Sequence, residues 1–152
     1  MNHNHYGRLI AITALSFAVM YVLMYAMVDS ANDVYHNLNQ FYMAGLMTVP
    51  MIVIELSLMS SMFQNKRLNA LIIAAAVVVG CAFFALTRQQ TAISDPQFLR
   101  SMIPHHSGAI LMCEQASIRN PKILQLCKAI VSSQEAEIAQ MRDILRELNG
   151  AR

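Results

Sequence analysis

Three long apolar runs constrain this chain more than any other feature. Leu9 to Val28 and Leu68 to Thr87 carry no charged side chain, and Phe41 to Phe63 carries only Glu55. About 20 helical residues, rising 1.5 Å each, cross the roughly 30 Å hydrocarbon layer of a bilayer. Each run is therefore long enough to be a transmembrane helix. The first exceeds the roughly 7–15 apolar residues of a secretory signal and lacks a clean small-residue cleavage site, so it reads as a retained span. Pro50 predicts a kink in the second span, and Phe41 and Tyr42 open it as interface aromatics.

Charge is distributed to match. Charged residues make up 13% of the chain, against about 25% in a soluble domain, and most lie beyond residue 94. The expected organisation is a three-span membrane domain over residues 1–88, with spans at about 9–28, 41–63 and 68–87, and a wet domain over 89–152. Arg8 precedes the first span, Lys66 and Arg67 join the second to the third, and the polar loop from Asp29 to Gln40 has no Lys or Arg. The positive-inside rule then puts the N-terminus in the cytoplasm and the last domain outside it, in the periplasm of a Gram-negative bacterium. Arg88 weighs slightly against this. A formal net charge of +2 and the lack of any basic run argue against nucleic acid as a partner.

The tail reads as two helices. Asp95-Pro96 and Asn120-Pro121 are both start signals, an N-cap residue followed by proline at the first helical position. The first helix is expected to end near Ile118, and the second near Leu148, before Asn149-Gly150. In the first, Phe98, Met102, His105, Ala109 and Met112 form one row, and Leu99, Ile103, His106, Ile110 and Cys113 form a second beside it. Leu124, Cys127, Val131, Gln134, Ile138, Met141 and Leu145 form the seam of the other helix. Two helices alone cannot bury faces this wide, so a four-helix bundle made by self-association is expected. The predicted fold is all-α, three transmembrane helices followed by a helical hairpin.

The stretch from Met102 to His106 carries the most chemistry. Adjacent histidines point about 100° apart on a helix, so each needs partners elsewhere. Met102 neighbours both. Across a turn centred on residue 120, His106 falls opposite Gln134, with Glu137 a flanking acid, and Cys113 falls opposite Cys127. Met is unusually frequent, its 12 copies outnumbering the six Phe and five Tyr together. Imidazole with thioether suits copper ahead of zinc. The alternative is a hydrogen-bonding histidine in a bundle with methionine as filler.

The run FLRSMIPHHSGAILMCEQA, followed by NPKILQLCKAIVSSQEAEIAQM, resembles the bacterial domain-of-unknown-function family numbered 305, grouped with ferritin-like helical bundles. The resemblance covers about residues 95–146, roughly the last third. It implies a mostly periplasmic helical domain, some of whose relatives handle copper. Carried to this sequence, the implied ligands are His105, His106, Met102, Met112 and Met141. Relatives with two copies complete the bundle in one chain, which strengthens the expectation of at least a dimer here.

Cys113 and Cys127 have two readings, a disulfide in an oxidising compartment or copper thiolates, with the disulfide favoured. Cys81 lies inside the third span as a packing residue. In the membrane half, Met43, Met47, Met51 and Glu55 step by four along the second span. An acid within a span is a functional candidate, although the favoured reading is that Met lines ordinary helix contacts while a protonated Glu55 hydrogen-bonds to a neighbour. The expected function is a membrane-anchored protein that captures or buffers copper, or confers resistance to it, outside the membrane. Lipid, a second copy and copper-handling proteins are the expected partners. The alternatives are a copper conduit along the Met stripes and Glu55, or a non-enzymatic accessory or assembly subunit. No nucleophile-base set, phosphate loop or dinucleotide motif is present, so an enzyme is not expected.

Overall fold

A computed structural model describes residues 3–59 and 61–150, with side chains from His5 onward. The outermost residues of the expected 1–88 and 89–152 division lie outside the described residues. Among those described there are five α-helices and no strand: α1 (His3–Leu23), α2 (Leu38–Leu58), α3 (Lys66–Gln89), α4 (Asp95–Gln115) and α5 (Pro121–Gly150). Two short 3-10 turns, Met24–Met27 and Ala31–Asp33, lie between α1 and α2. Three segments are long and apolar enough to cross a membrane, His5–Met27, Leu38–Leu58 and Lys66–Gln89.

The second span is displaced from the expected 41–63, because Phe63 belongs to the following loop. It turns back into a cluster with Leu9 and Leu56, stacking its ring 5.2 Å from that of Tyr6. The Phe63 carbonyl accepts from the Asn69 amide (2.7 Å), whose oxygen accepts from the Tyr6 hydroxyl (2.8 Å). Twenty-one residues of α2 already reach about 31 Å, so a full crossing does not need Phe63.

The chain divides into two compact units. One combines Met1–Met24 with Asn39–Thr91, and the other combines Tyr25–Leu38 with Ala92–Arg152. In the first unit, α2 and α3 approach closely at Gly45, where a Cβ would stand 2.5 Å from the Phe83 ring. Large side chains such as Ile10, Leu58 and Val78 are exposed, as expected of helices whose outer solvent is lipid.

The second unit is the hairpin α4–α5 with the 25–38 segment laid against it. Its core is Leu99, Ile103, Ile110, Ile138 and Leu145, with Tyr35, Val131 and Met141 packed around them. Of the two apolar rows on α4, the one containing Leu99 and Ile103 is thus the buried one. The row with Phe98 and Met112 faces outward, both residues being half exposed. At the α4–α5 turn, the Asn120 side chain accepts from the backbone N–H of Lys122 (2.9 Å), capping α5. The start of α4 falls one residue earlier than expected, with Ser94 rather than Asp95 at the cap position. Its end at Gln115 comes before the expected Ile118, and α5 continues to Gly150.

Candidate functional site

The hairpin unit gathers most of the sequence candidates. His106 is partly buried, and both ring nitrogens have partners. Nδ1 lies 2.9 Å from the Met102 carbonyl one turn back, and Nε2 lies 2.8 Å from Glu137 Oε2 on α5. Both partners are acceptors, so a ring carrying two protons satisfies both contacts. The second Glu137 oxygen accepts from the Ser133 hydroxyl at 2.7 Å. That bond, then the His106 contact, holds the Glu137 carboxyl below the usual carboxylate range. His105 is exposed on the same turn, its ring centre 6.2 Å from that of His106.

Helix geometry explains why the partner is Glu137 rather than Gln134. Side chains lean towards the N-terminus of their own helix. The His106 ring leans back to the level of Met102, which in an antiparallel pair is a level further along α5. Glu137 sits there, and it leans back towards Ser133 to meet the ring. Gln134 is partly buried on the preceding turn.

The other candidates are spread out. Met102 is partly buried and contributes its carbonyl, while Met112 is half exposed two turns beyond His105. Met141 packs against the hydrophobic core. Cys113 and Cys127 are joined in a disulfide, their Cα atoms 5.3 Å apart. Closing a loop of this length is worth about 3 kcal/mol in the chain-entropy account. Among the described residues no three His, Cys, Asp or Glu side chains converge as a metal-binding group. In the three-helix unit, Met47 and Met51 are exposed on the outside of α2 and Met43 is partly buried. Glu55 is partly buried, within one turn of the C-terminal end of α2.

Sequence reasoning passed over a second polar centre. Asp33, in the segment between the first two spans, is only 5% exposed. One of its oxygens accepts from the fully buried Ser107 hydroxyl on α4 (2.9 Å), and the other pairs with Arg142 on α5. Ser107 Oγ also accepts from the Asp29 backbone N–H (2.9 Å). Gly108 lets this segment approach, since a Cβ there would meet the Met27 carbonyl at 3.1 Å. Pro104 has no N–H to give the Arg100 carbonyl, and the Asn37 side chain donates to it instead (3.4 Å). The only sequence signal for this centre was a pair of small residues, Ser107-Gly108, on an otherwise bulky helix.

The fold and site define an all-helical class: helices suited to crossing a membrane, and a disulfide-closed hairpin carrying an adjacent histidine pair. The model of the family described as Domain of unknown function (DUF305) matches residues 55–145, and the chain belongs to that family. The match reaches well upstream of the last third expected from the motif and takes in all of α3. The chain is also similar to "Uncharacterized protein L153" of Acanthamoeba polyphaga mimivirus. The two are 38% identical over 121 residues, covering 78% of each chain. No solved structure matches.

Proposed function

We propose that this is a membrane-anchored, non-enzymatic metal-binding protein whose hairpin unit captures or buffers copper. The observation that carries the reading is the orientation of His106. An imidazole that ligates a metal almost always donates its other ring N–H to a carbonyl or carboxylate. The Nδ1–Met102 contact is of that kind and leaves Nε2 aimed across the hairpin. His106 Nε2 and a Glu137 oxygen already face one another, and side-chain rotation on α4 would be needed to bring the His105 imidazole and the softer thioethers of Met102 and Met112 to the same ion. Binding requires Nε2 to release its proton and exchange its Glu137 contact for the ion.

The grouping of segment 25–38 with residues 92–152 in one compact unit supports three crossings, which put both segments on the same side of the membrane. The positions of Arg8, Lys66 and Arg67 favour the extracytoplasmic side, the periplasm in a bacterium. Half-exposed Phe98, Met112, Ile123, Leu124 and Leu126 favour a second copy of the chain as a partner, and copper-handling proteins are natural donors or acceptors. The alternative of a copper conduit along the Met stripes and Glu55 would need several chains to align the outward-facing Met47 and Met51. A second reading rests on the fact that both His106 nitrogens are already hydrogen-bonded. The pair then acts as a clasp, and the hairpin as a docking module for an assembly partner.

Metal analysis of purified protein separates the two. His105→Ala/His106→Ala is expected to weaken copper binding at least tenfold while leaving helicity near that of the parent. Unchanged copper affinity in that variant would sink the metal reading and leave the clasp.

A further inference from the structure

Beside the disulfide, α4 and α5 form an open groove of about 360 Å³ whose lining includes Cys113, Cys127, Glu114, Lys128 and Glu135. Both cysteines are partly buried, so the sulfurs are sheltered without being sealed. The hairpin does not depend on this bond alone for its register. The Leu99–Ile103–Ile138–Leu145 core, the Asp33 bridge to Ser107 and Arg142, and the His106–Glu137 contact all join the elements independently. Reduction would therefore leave two thiols facing each other from two helices that these contacts still hold together.

We infer that the reduced Cys113/Cys127 pair is a second metal site, specific for Cu(I) and independent of the histidine pair. Two thiolates complete the linear coordination that Cu(I) accepts, whereas zinc normally takes four ligands. The chemistry balances with a thiol reductant, the class that breaks protein disulfides by exchange. The disulfide takes two electrons and two protons from a dithiol donor, which leaves as its own disulfide. Cu(I) then binds as the two thiols release two protons, giving a complex of charge −1. Lys128, adjacent to Cys127, offsets that charge, and the Glu114 and Glu135 carboxylates attract the cation to the groove. The disulfide thus keeps the site shut until a reductant reaches it.

The test uses the full chain in detergent micelles with Cys81→Ser, so that only these two thiols vary. One sample is reduced with a phosphine that is then removed without oxygen, the other is left oxidised, and both are titrated with Cu(I) buffered by bicinchoninate. The reduced protein is expected to hold one more tightly bound Cu(I) per chain than the oxidised one. Cys113→Ser/Cys127→Ser should gain none, and His105→Ala/His106→Ala should keep the gain, which separates this site from the one proposed above. Equal uptake by the reduced and oxidised forms overturns the inference. So does a gain that persists without the cysteines, or loss of the hairpin's helical signal on reduction, since unheld thiols are no site.

Discussion

In the three-helix unit the helices meet through a small residue, aromatic rings and uncharged hydrogen bonds such as Tyr6 to Asn69, whereas in the hairpin unit charged side chains also reach from one element to another. Gly45 lies against Phe83, Phe17 against Phe41 and Tyr6 against Phe63 in the first. Asp33 joins Ser107 to Arg142, and Glu137 joins His106 to Ser133, in the second. The contrast follows from the solvent each unit is suited to. Against lipid, apolar burial between helices gains little, so close packing must supply the cohesion. In water a two-helix hairpin has too small a core, and it recruits a third element and charged bridges to complete itself.

The contrast breaks most sharply at Asp33. Asp33→Ala leaves Ser107 buried without its acceptor and Arg142 without its counter-charge, a loss of about 3 kcal/mol. Hydrogen exchange on the full chain in nanodiscs should then show α4 and α5 amides exchanging roughly a hundredfold faster. Thr48→Ala, which removes a hydroxyl bonded to the Ala44 carbonyl within α2, should change the first unit by no more than about 1 kcal/mol. Similar responses to both substitutions would show that segment 25–38 only drapes over the hairpin.

That segment also marks where the sequence stopped being legible. The spans, the hairpin, its turn at Asn120 and the facing cysteines all follow from local signals: apolar run length, Asn-Pro and Asp-Pro starts, helical spacing. Asp33 has no such signal, because its role depends on Ser107 and Arg142, 74 and 109 residues further along the chain. The expectation that two helices alone cannot bury the hairpin's faces treated residues 29–40 as a bare connection, and Tyr35 of that segment packs against the core. The placing of Gln134 opposite His106, with Glu137 as a flanking acid, did not identify which of the two is the hydrogen-bond partner. Pairing across a turn gives the level of two residues but not the lean of their side chains, and the lean selected Glu137.

Close approach should be the next most sensitive feature. Gly45→Ala places a methyl against the Phe83 ring, which must shift within the helix packing, at a cost of about 1–3 kcal/mol. Gly108→Ala meets the Met27 backbone carbonyl, which cannot swing aside, so the expected response is release of segment 25–38. Proteolysis within residues 28–37 reads that release. Cleavage that stays at the parent rate in Gly108→Ala would mean the segment is held without this contact.

The smallest expected effect is that of pH on the metal-free hairpin. Glu137 titrates in the folded chain below its ordinary value of about 4.5, chiefly through the Ser133 hydrogen bond and then through His106. In the unfolded chain neither partner is held, so the value returns to the ordinary one. Between the folded and unfolded values the unfolded state binds more protons, and stability therefore rises with pH across that window. The contribution is complete above about 4.5 and is lost as pH falls through the lower, folded value. Because Glu137 is exposed, water and salt screen the interaction and the slope will be shallow. Ser133→Ala removes the leading cause and should flatten the slope more than it lowers the plateau. Glu137→Gln should abolish this group's share of the slope, while the Asp33 bridge continues to hold the elements together. Measuring exchange of the α5 amides at several pH values below 6 tests this. A Glu137→Gln profile as steep as the parent's would assign the acid sensitivity to another carboxylate and leave the His106–Glu137 contact with no measurable part in holding the hairpin.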